Sequence, residues 1–159
     1  IDALIVHGRT TSQYFRGKAD WSVLAELKKK YPQATIIGSG DLFEAADIIE
    51  KKKTACVDGV AIARGAIGKP WLFRQITDLL DGKEEIFKPD TTEQGRIILD
   101  HLNMLAELYE PKKRVWYFRK FLAHYSKAHT GGRKLKMELV TAHDEDQLRT
   151  AIKKWYDVS

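Results

Sequence analysis

Three short apolar segments narrow the folds open to this chain: residues 3–6 (ALIV), 34–37 (ATII) and 60–62 (VAI), none alternating regularly between apolar and polar. Such runs suit strands of a parallel sheet that is buried on both faces. Helical spacing fills the intervals between them. A first helix is predicted from Asp20 as N-cap, with Trp21, Leu24, Leu27 and Tyr31 three to four residues apart and Pro32 at its end. A second covers about residues 43–53, and a further one is predicted from Pro70, a residue well suited to a first helical turn. Strand and helix in alternation make βα units with right-handed crossovers.

After Gly82 the alternation stops, and Lys88-Pro89-Asp90 reads as a joint between two domains. Thr91 with Gln94 forms a capping-box pattern ahead of an apolar stripe at Ile98, Leu102, Leu105 and Tyr109. Pro111 opens a helix with Val115, Phe118, Leu122 and Tyr125 on one face, and Gly131-Gly132 breaks it. A last helix follows Asp144 and presents Leu148, Ile152 and Trp155.

Each predicted strand runs into a polar or glycine-rich turn: His7-Gly8-Arg9-Thr10, Gly38-Ser39-Gly40-Asp41 and Ala63-Arg64-Gly65-Ala66. In βα folds these carboxyl ends of the strands are where sites are built, and in barrels the last loops often grip a phosphate. Glycines let backbone N–H groups approach an anion, and an arginine such as Arg64 adds a bidentate charged contact. Any one of these glycines alone reads better as a tight turn. Two consecutive loops of this kind favour a phosphate site, and beside them His7 becomes a ligand-contact candidate.

Composition excludes other classes. With 43% hydrophobic and 31% charged residues the chain buries a core and is not of disordered composition. One cysteine, Cys56, excludes an intrachain disulfide framework, no Cys/His cluster has zinc-site spacing, and a reducing, cytoplasmic setting fits. No apolar run approaches the ~20 residues of a membrane helix. The first residue is Ile1 and the first residues already read as a strand, so a partial sequence is expected.

The net charge of +5 is unevenly spread: between Pro111 and Met137 lie nine Lys or Arg and no Asp or Glu. At about 100° per residue, Lys113, Trp116, Tyr117, Lys120, His124 and Lys127 fall opposite the apolar stripe of their helix. Lysines that neutralise phosphates beside aromatic rings that stack on unpaired bases would suit RNA. A solvated face with partly buried aromatics is the competing reading.

Five stretches together carry a family resemblance: residues 6–10 (VHGRT), 17–21 (GKADW), 38–41 (GSGD), 58–60 (DGV) and 63–73 (ARGAIGKPWLF). They resemble the tRNA-dihydrouridine synthases, flavin mononucleotide (FMN) enzymes built on a βα barrel, and residues 119–125 (RKFLAHY) with Lys127 look like that family's basic helix. Ser39, Ala63 and Thr11 stand where the family commonly has Asn, Gly and Arg.

The resemblance implies an α/β fold: residues 1–88 as the last three βα units of a TIM (β/α)8 barrel, and 89–159 as an all-helical domain of about four helices that binds tRNA. It implies that His7, Ser39, Gly40, Asp41, Ala63 and Arg64 hold FMN, and that Arg9, Lys113, Trp116, Lys120, His124 and Lys127 contact tRNA. NADPH would be the reductant, and a cysteine would protonate the uridine. Cys56 does not suit that task, since it precedes the third strand, at the end of the sheet opposite the turns. The catalytic cysteine and a flavin-contacting lysine are expected on earlier strands. The alternatives are another phosphate-gripping flavin barrel acting on a small molecule, and a non-catalytic RNA-binding module.

Overall fold

A computed structural model describes residues 1–159, except for the side chain of Ala128. The chain divides into two units, one of residues 1–66 and 70–87, the other of residues 67–69 and 88–159.

In the first unit β1 (Leu4–His7), β2 (Ile36–Ser39) and β3 (Gly59–Ala61) form a parallel sheet in that order. Helix α1 (Ser22–Lys30) connects β1 to β2, α2 (Ala45–Thr54) connects β2 to β3, and α3 (Leu72–Leu80) follows β3. The register pairs His7 with Ser39 and Ser39 with Ala61, so the three strands end level and their turns open on one side.

Asp58 helps fix this register. Its carboxylate accepts the Ile36 N–H at 2.8 Å and the Lys28 ammonium at 2.8 Å, joining the start of β3 to β2 and α1. The Ile36 N–H, followed by Lys28, holds this carboxyl below its ordinary range.

Core packing lies on the helix side of the sheet. Leu24, Ile36, Ala55 and Val57 form one buried cluster, and Leu42, Ala45, Ile48 and Leu72 another, with Trp21 and Val60 packed against both. The expectation of strands buried on both faces fails for β1, where Leu4 and Ile5 are 42% and 68% exposed. The reason is its edge position: β1 has one neighbour, and Ile5 with its register partner Ile37 lies on the face away from the helices.

Helix starts also differ from expectation. The first helix begins at Ser22; Asp20 steadies its entry by accepting the Ser22 N–H at 2.9 Å and hydroxyl at 2.6 Å. Pro70 lies in the turn before α3. Beyond α3, the buried Asp78 accepts Lys83 Nζ at 2.6 Å and the Phe87 N–H at 3.0 Å, tying the exit segment to the helix.

The second unit contains α4 (Thr91–Ala106), α5 (Pro111–Tyr125), a 3-10 turn (Ser126–Ala128), α6 (Gly132–Thr141) and α7 (Glu145–Tyr156). The predicted capping box is displaced by one residue: Asp90, not Thr91, caps α4 by accepting the Glu93 N–H at 2.7 Å, and the Gln94 amide donates to Pro89 O. Asp144 caps α7 in the same way through the Gln147 N–H. Ile98, Leu102, Phe118, Leu122, Leu135, Leu139, Leu148, Ile152 and Tyr156 are wholly buried. Trp155, predicted for the apolar stripe of α7, is only half-buried, because its Nε1 donates to Glu138 at 2.8 Å while Tyr156 takes the interior place.

Candidate phosphate site and basic helical face

The level strand ends gather His7, Ser39, Gly40, Asp41, Ala63 and Arg64 around one cleft of about 210 Å³, with Phe15 and Phe43 completing its wall. Two glycines are obligatory in this geometry. Gly40 has φ +123°, and a Cβ there would come within 2.6 Å of the Ala19 Cβ. A Cβ on Gly65 would sit 1.8 Å from the Leu42 carbonyl oxygen, so only glycine lets the β3 loop pass the β2 loop at this distance.

Asp41 organises the cleft. Its Oδ2 accepts Arg9 Nη2 at 2.6 Å and the Ala19 N–H at 2.8 Å, while Oδ1 accepts Arg64 Nη2 at 3.3 Å. Burial would raise this carboxyl, but the Ala19 N–H, the Arg9 hydrogen bond and charge, and the Arg64 charge outweigh it and hold Asp41 below its usual range.

Arg9 is turned inward. Its side chain is 2% exposed, and it donates to Gly17 O at 2.8 Å and Arg16 O at 3.3 Å as well as to Asp41. The role expected for Arg9, contact with RNA, does not suit this placement; it binds the β1 loop to Asp41. Arg9 Nη1 also lies 3.4 Å from His7 Nε2. A guanidinium has no acceptor, so Nε2 accepts, and in the neutral ring Nδ1 carries the hydrogen and faces Ser39 Oγ at 3.4 Å.

Arg64 remains 43% exposed in the cleft, its guanidinium 4.2 Å from the Phe15 ring centroid and 5.9 Å from that of Phe43. Two guanidinium groups face one carboxylate, which leaves the cleft with net positive charge. Such a site suits an anion with several acceptor oxygens, as a phosphate monoester has. The sequence alone did not single out Phe15 and Phe43, because an aromatic residue in a turn carries no spacing signal.

The structure places Lys113, Trp116 and Lys120 of α5 and Lys127 of the following 3-10 turn in solvent, with Tyr117 and His124 half-buried. The Tyr117 ring lies 4.6 Å from Tyr109 and 4.8 Å from Trp116, and Lys120 Nζ stands 5.0 Å from the Phe121 centroid. Burial, then Lys127 and Lys136, lower His124 from its ordinary value. Of the nine cations between Pro111 and Met137, Arg114 is bound to Glu145 and Arg119 donates to Ala142 O at 2.8 Å; the other seven are exposed.

His101 of α4 was not singled out from sequence. It packs 4.9 Å from Phe118 and 4.8 Å from Phe121, its Nδ1 is 3.1 Å from Tyr125 Oη, and burial lowers its pKa. Burial also pushes Tyr125 up to about 12.

Cys56 is exposed just before β3, at the end of that strand opposite Arg64. Among the described residues no group of three or more His, Cys, Asp or Glu could hold a metal ion, and no helix is long and apolar enough to cross a membrane.

The dihydrouridine synthase family model matches residues 1–156. The chain is 30% identical over 92% of its length to a "Probable tRNA-dihydrouridine synthase" of Mycobacterium leprae, covering 38% of that protein. It is 35% identical over 79% of its length to a protein of the same name from Rickettsia bellii, covering 38% of it. It is 31% identical over 91% of its length to tRNA-dihydrouridine synthase B of Pseudomonas putida, covering 42%. The chain therefore spans about two fifths of these relatives, aligned to their carboxy-terminal part.

Proposed function

Since this chain belongs to the dihydrouridine synthase family, we propose that it is the carboxy-terminal part of an enzyme that reduces uridines in tRNA to 5,6-dihydrouridine, with FMN as cofactor and NAD(P)H as reductant. In this reading residues 1–88 are the last three βα units of an FMN-binding TIM barrel, and residues 89–159 are a tRNA-binding domain. The observation that carries the cofactor assignment is the net positive cleft at the level strand ends, where Arg64 and Asp41 meet Gly40 and Gly65.

These residues fit the phosphate end of FMN. Arg64 would pair with the phosphate, and the turns at Ser39-Gly40 and Ala63-Arg64 would bring backbone N–H groups to it, as only glycine-containing turns of this closeness can. His7 and Ser39 would line the adjoining part of the cofactor. Asp41 and Arg9 hold the loops that present these groups. When bound, the flavin supplies the hydride for the uracil double bond and accepts another from NAD(P)H. The proton donor is assigned to polypeptide outside this chain, because Cys56 lies at the wrong end of β3.

Exposed Lys113, Trp116, Lys120 and Lys127, with His124, form the tRNA-facing surface in this reading. The cofactor assignment is tested by FMN titration of the intact protein. Arg64→Ala should weaken FMN roughly 10- to 100-fold, as expected for loss of a charge-assisted contact, and Arg64→Lys should restore part of it. Unchanged FMN affinity in Arg64→Ala would contradict the assignment.

A further inference from the structure

The loop between β1 and α1 has an exposed tip that adjoins the cleft through Phe15 and extends beyond it at Tyr14. Tyr14 and Phe15 are 71% and 65% exposed, Arg16 and Lys18 are exposed as well, and no acidic residue lies between Arg9 and Asp20. Exposed aromatic side chains on a loop ordinarily come with freedom to move, yet this backbone is pinned at both ends. The Thr10 N–H donates to Gln13 Oε1 at 2.8 Å, and the Arg16 N–H donates to Gln13 O at 2.9 Å. Arg9 holds the carbonyls of Arg16 and Gly17, and the Ala19 N–H is fixed to Asp41. Tyr14 is held at φ +49°, a conformation that L-residues with side chains avoid and that usually persists for a functional reason.

We propose that this tip is a preformed stacking platform for an unpaired RNA nucleotide at the mouth of the cleft. The proposal rests on the tRNA reading above and gives that substrate a contact surface in the first unit. Its location supports it: the Phe15 ring lies against the Arg64 guanidinium and lines the cleft, and Tyr14 precedes it at the exposed end of the same loop. A uridine that reaches a cofactor in the cleft must leave its base stack, and its neighbours then lose a stacking partner. A rigid aromatic surface at the entrance would replace that partner with little ordering cost, and Arg16 and Lys18, exposed in the same loop, would be available to its flanking phosphates. Two cations without an anion favour a nucleic acid over a polypeptide partner.

The test is binding of an unmodified tRNA transcript to the FMN-loaded intact protein across a salt series, with thermal stability measured in parallel. Tyr14→Ala should weaken binding roughly fivefold or more without changing the salt slope, and Tyr14→Phe should bind like the wild type. Lys18→Gln should make the slope shallower by about 0.7, the loss of one phosphate contact on a single strand. Wild-type affinity in Tyr14→Ala, while Lys120→Gln on α5 still weakens binding, would overturn the platform and leave the tRNA reading standing. Loss of thermal stability in Tyr14→Ala with unchanged tRNA affinity would show that polypeptide covers the tip, and would also overturn the proposal. Failure of the wild-type protein to bind the transcript would remove both.

Discussion

Asp41 carries more of the cleft's structure than its place in a glycine-rich turn suggests. Read from sequence, it is one more polar residue lining a ligand site; in the fold its two oxygens serve Arg9, Ala19 and Arg64, and its carbonyl accepts Lys51 Nζ at 2.9 Å. Removing its charge would leave the Arg9 guanidinium, 2% exposed, without a counter-ion. A double-mutant cycle of Arg9→Gln and Asp41→Asn, read by chemical denaturation of the intact protein, should give a coupling of about 1–3 kcal/mol, below the cost for a fully buried pair because Asp41 is 21% exposed. A coupling near zero would show that the pair does not hold the loops. Residue type could not reveal this arrangement. An arginine after a strand-end histidine is usually solvated, and its inward turn depends on an aspartate 32 positions away.

At the scale of elements, periodicity made the helices and their buried faces legible: Val115, Phe118, Leu122 and Tyr125 are all buried as their spacing on α5 predicts. Ends and edges were less legible. Asp90 and Thr91 are adjacent competent caps, and their spacing does not decide between them. The apolar run of β1 predicts a strand buried on both faces, but a sheet of three strands cannot close a barrel, and Ile5 is left exposed on the face away from the helices.

The packing of α4 on α5 has a pH consequence. Burial lowers His101 below its ordinary 6.5, so the unfolded chain binds its proton more readily than the folded one. Stability from this residue is therefore complete above about pH 6.5 and declines as pH falls through that value toward the lower folded one. His124, also lowered, acts in the same direction. Thermal unfolding should show a decline below about pH 6.5 that His101→Gln reduces; an identical pH profile in that variant would exclude His101 as a cause.

For the whole molecule, two kinds of sequence information point the same way. The turns after three level strands make a positively charged cleft, and α5, α6 and the 3-10 turn between them expose seven cations. A small-molecule oxidoreductase has no need of the second feature, and a simple RNA-binding module has no need of the first. Both occur in a chain that the dihydrouridine synthase family model matches almost throughout. The chain spans about two fifths of the relatives it matches, and its one cysteine, Cys56, lies at the end of β3 away from the cleft. The most direct measurement is dihydrouridine content, by nucleoside mass spectrometry, in unmodified tRNA incubated with the intact protein, FMN and NADPH. The account predicts dihydrouridine that accumulates with NADPH consumption and falls in Arg64→Ala; flavin-loaded protein that binds the tRNA yet forms no dihydrouridine would contradict it.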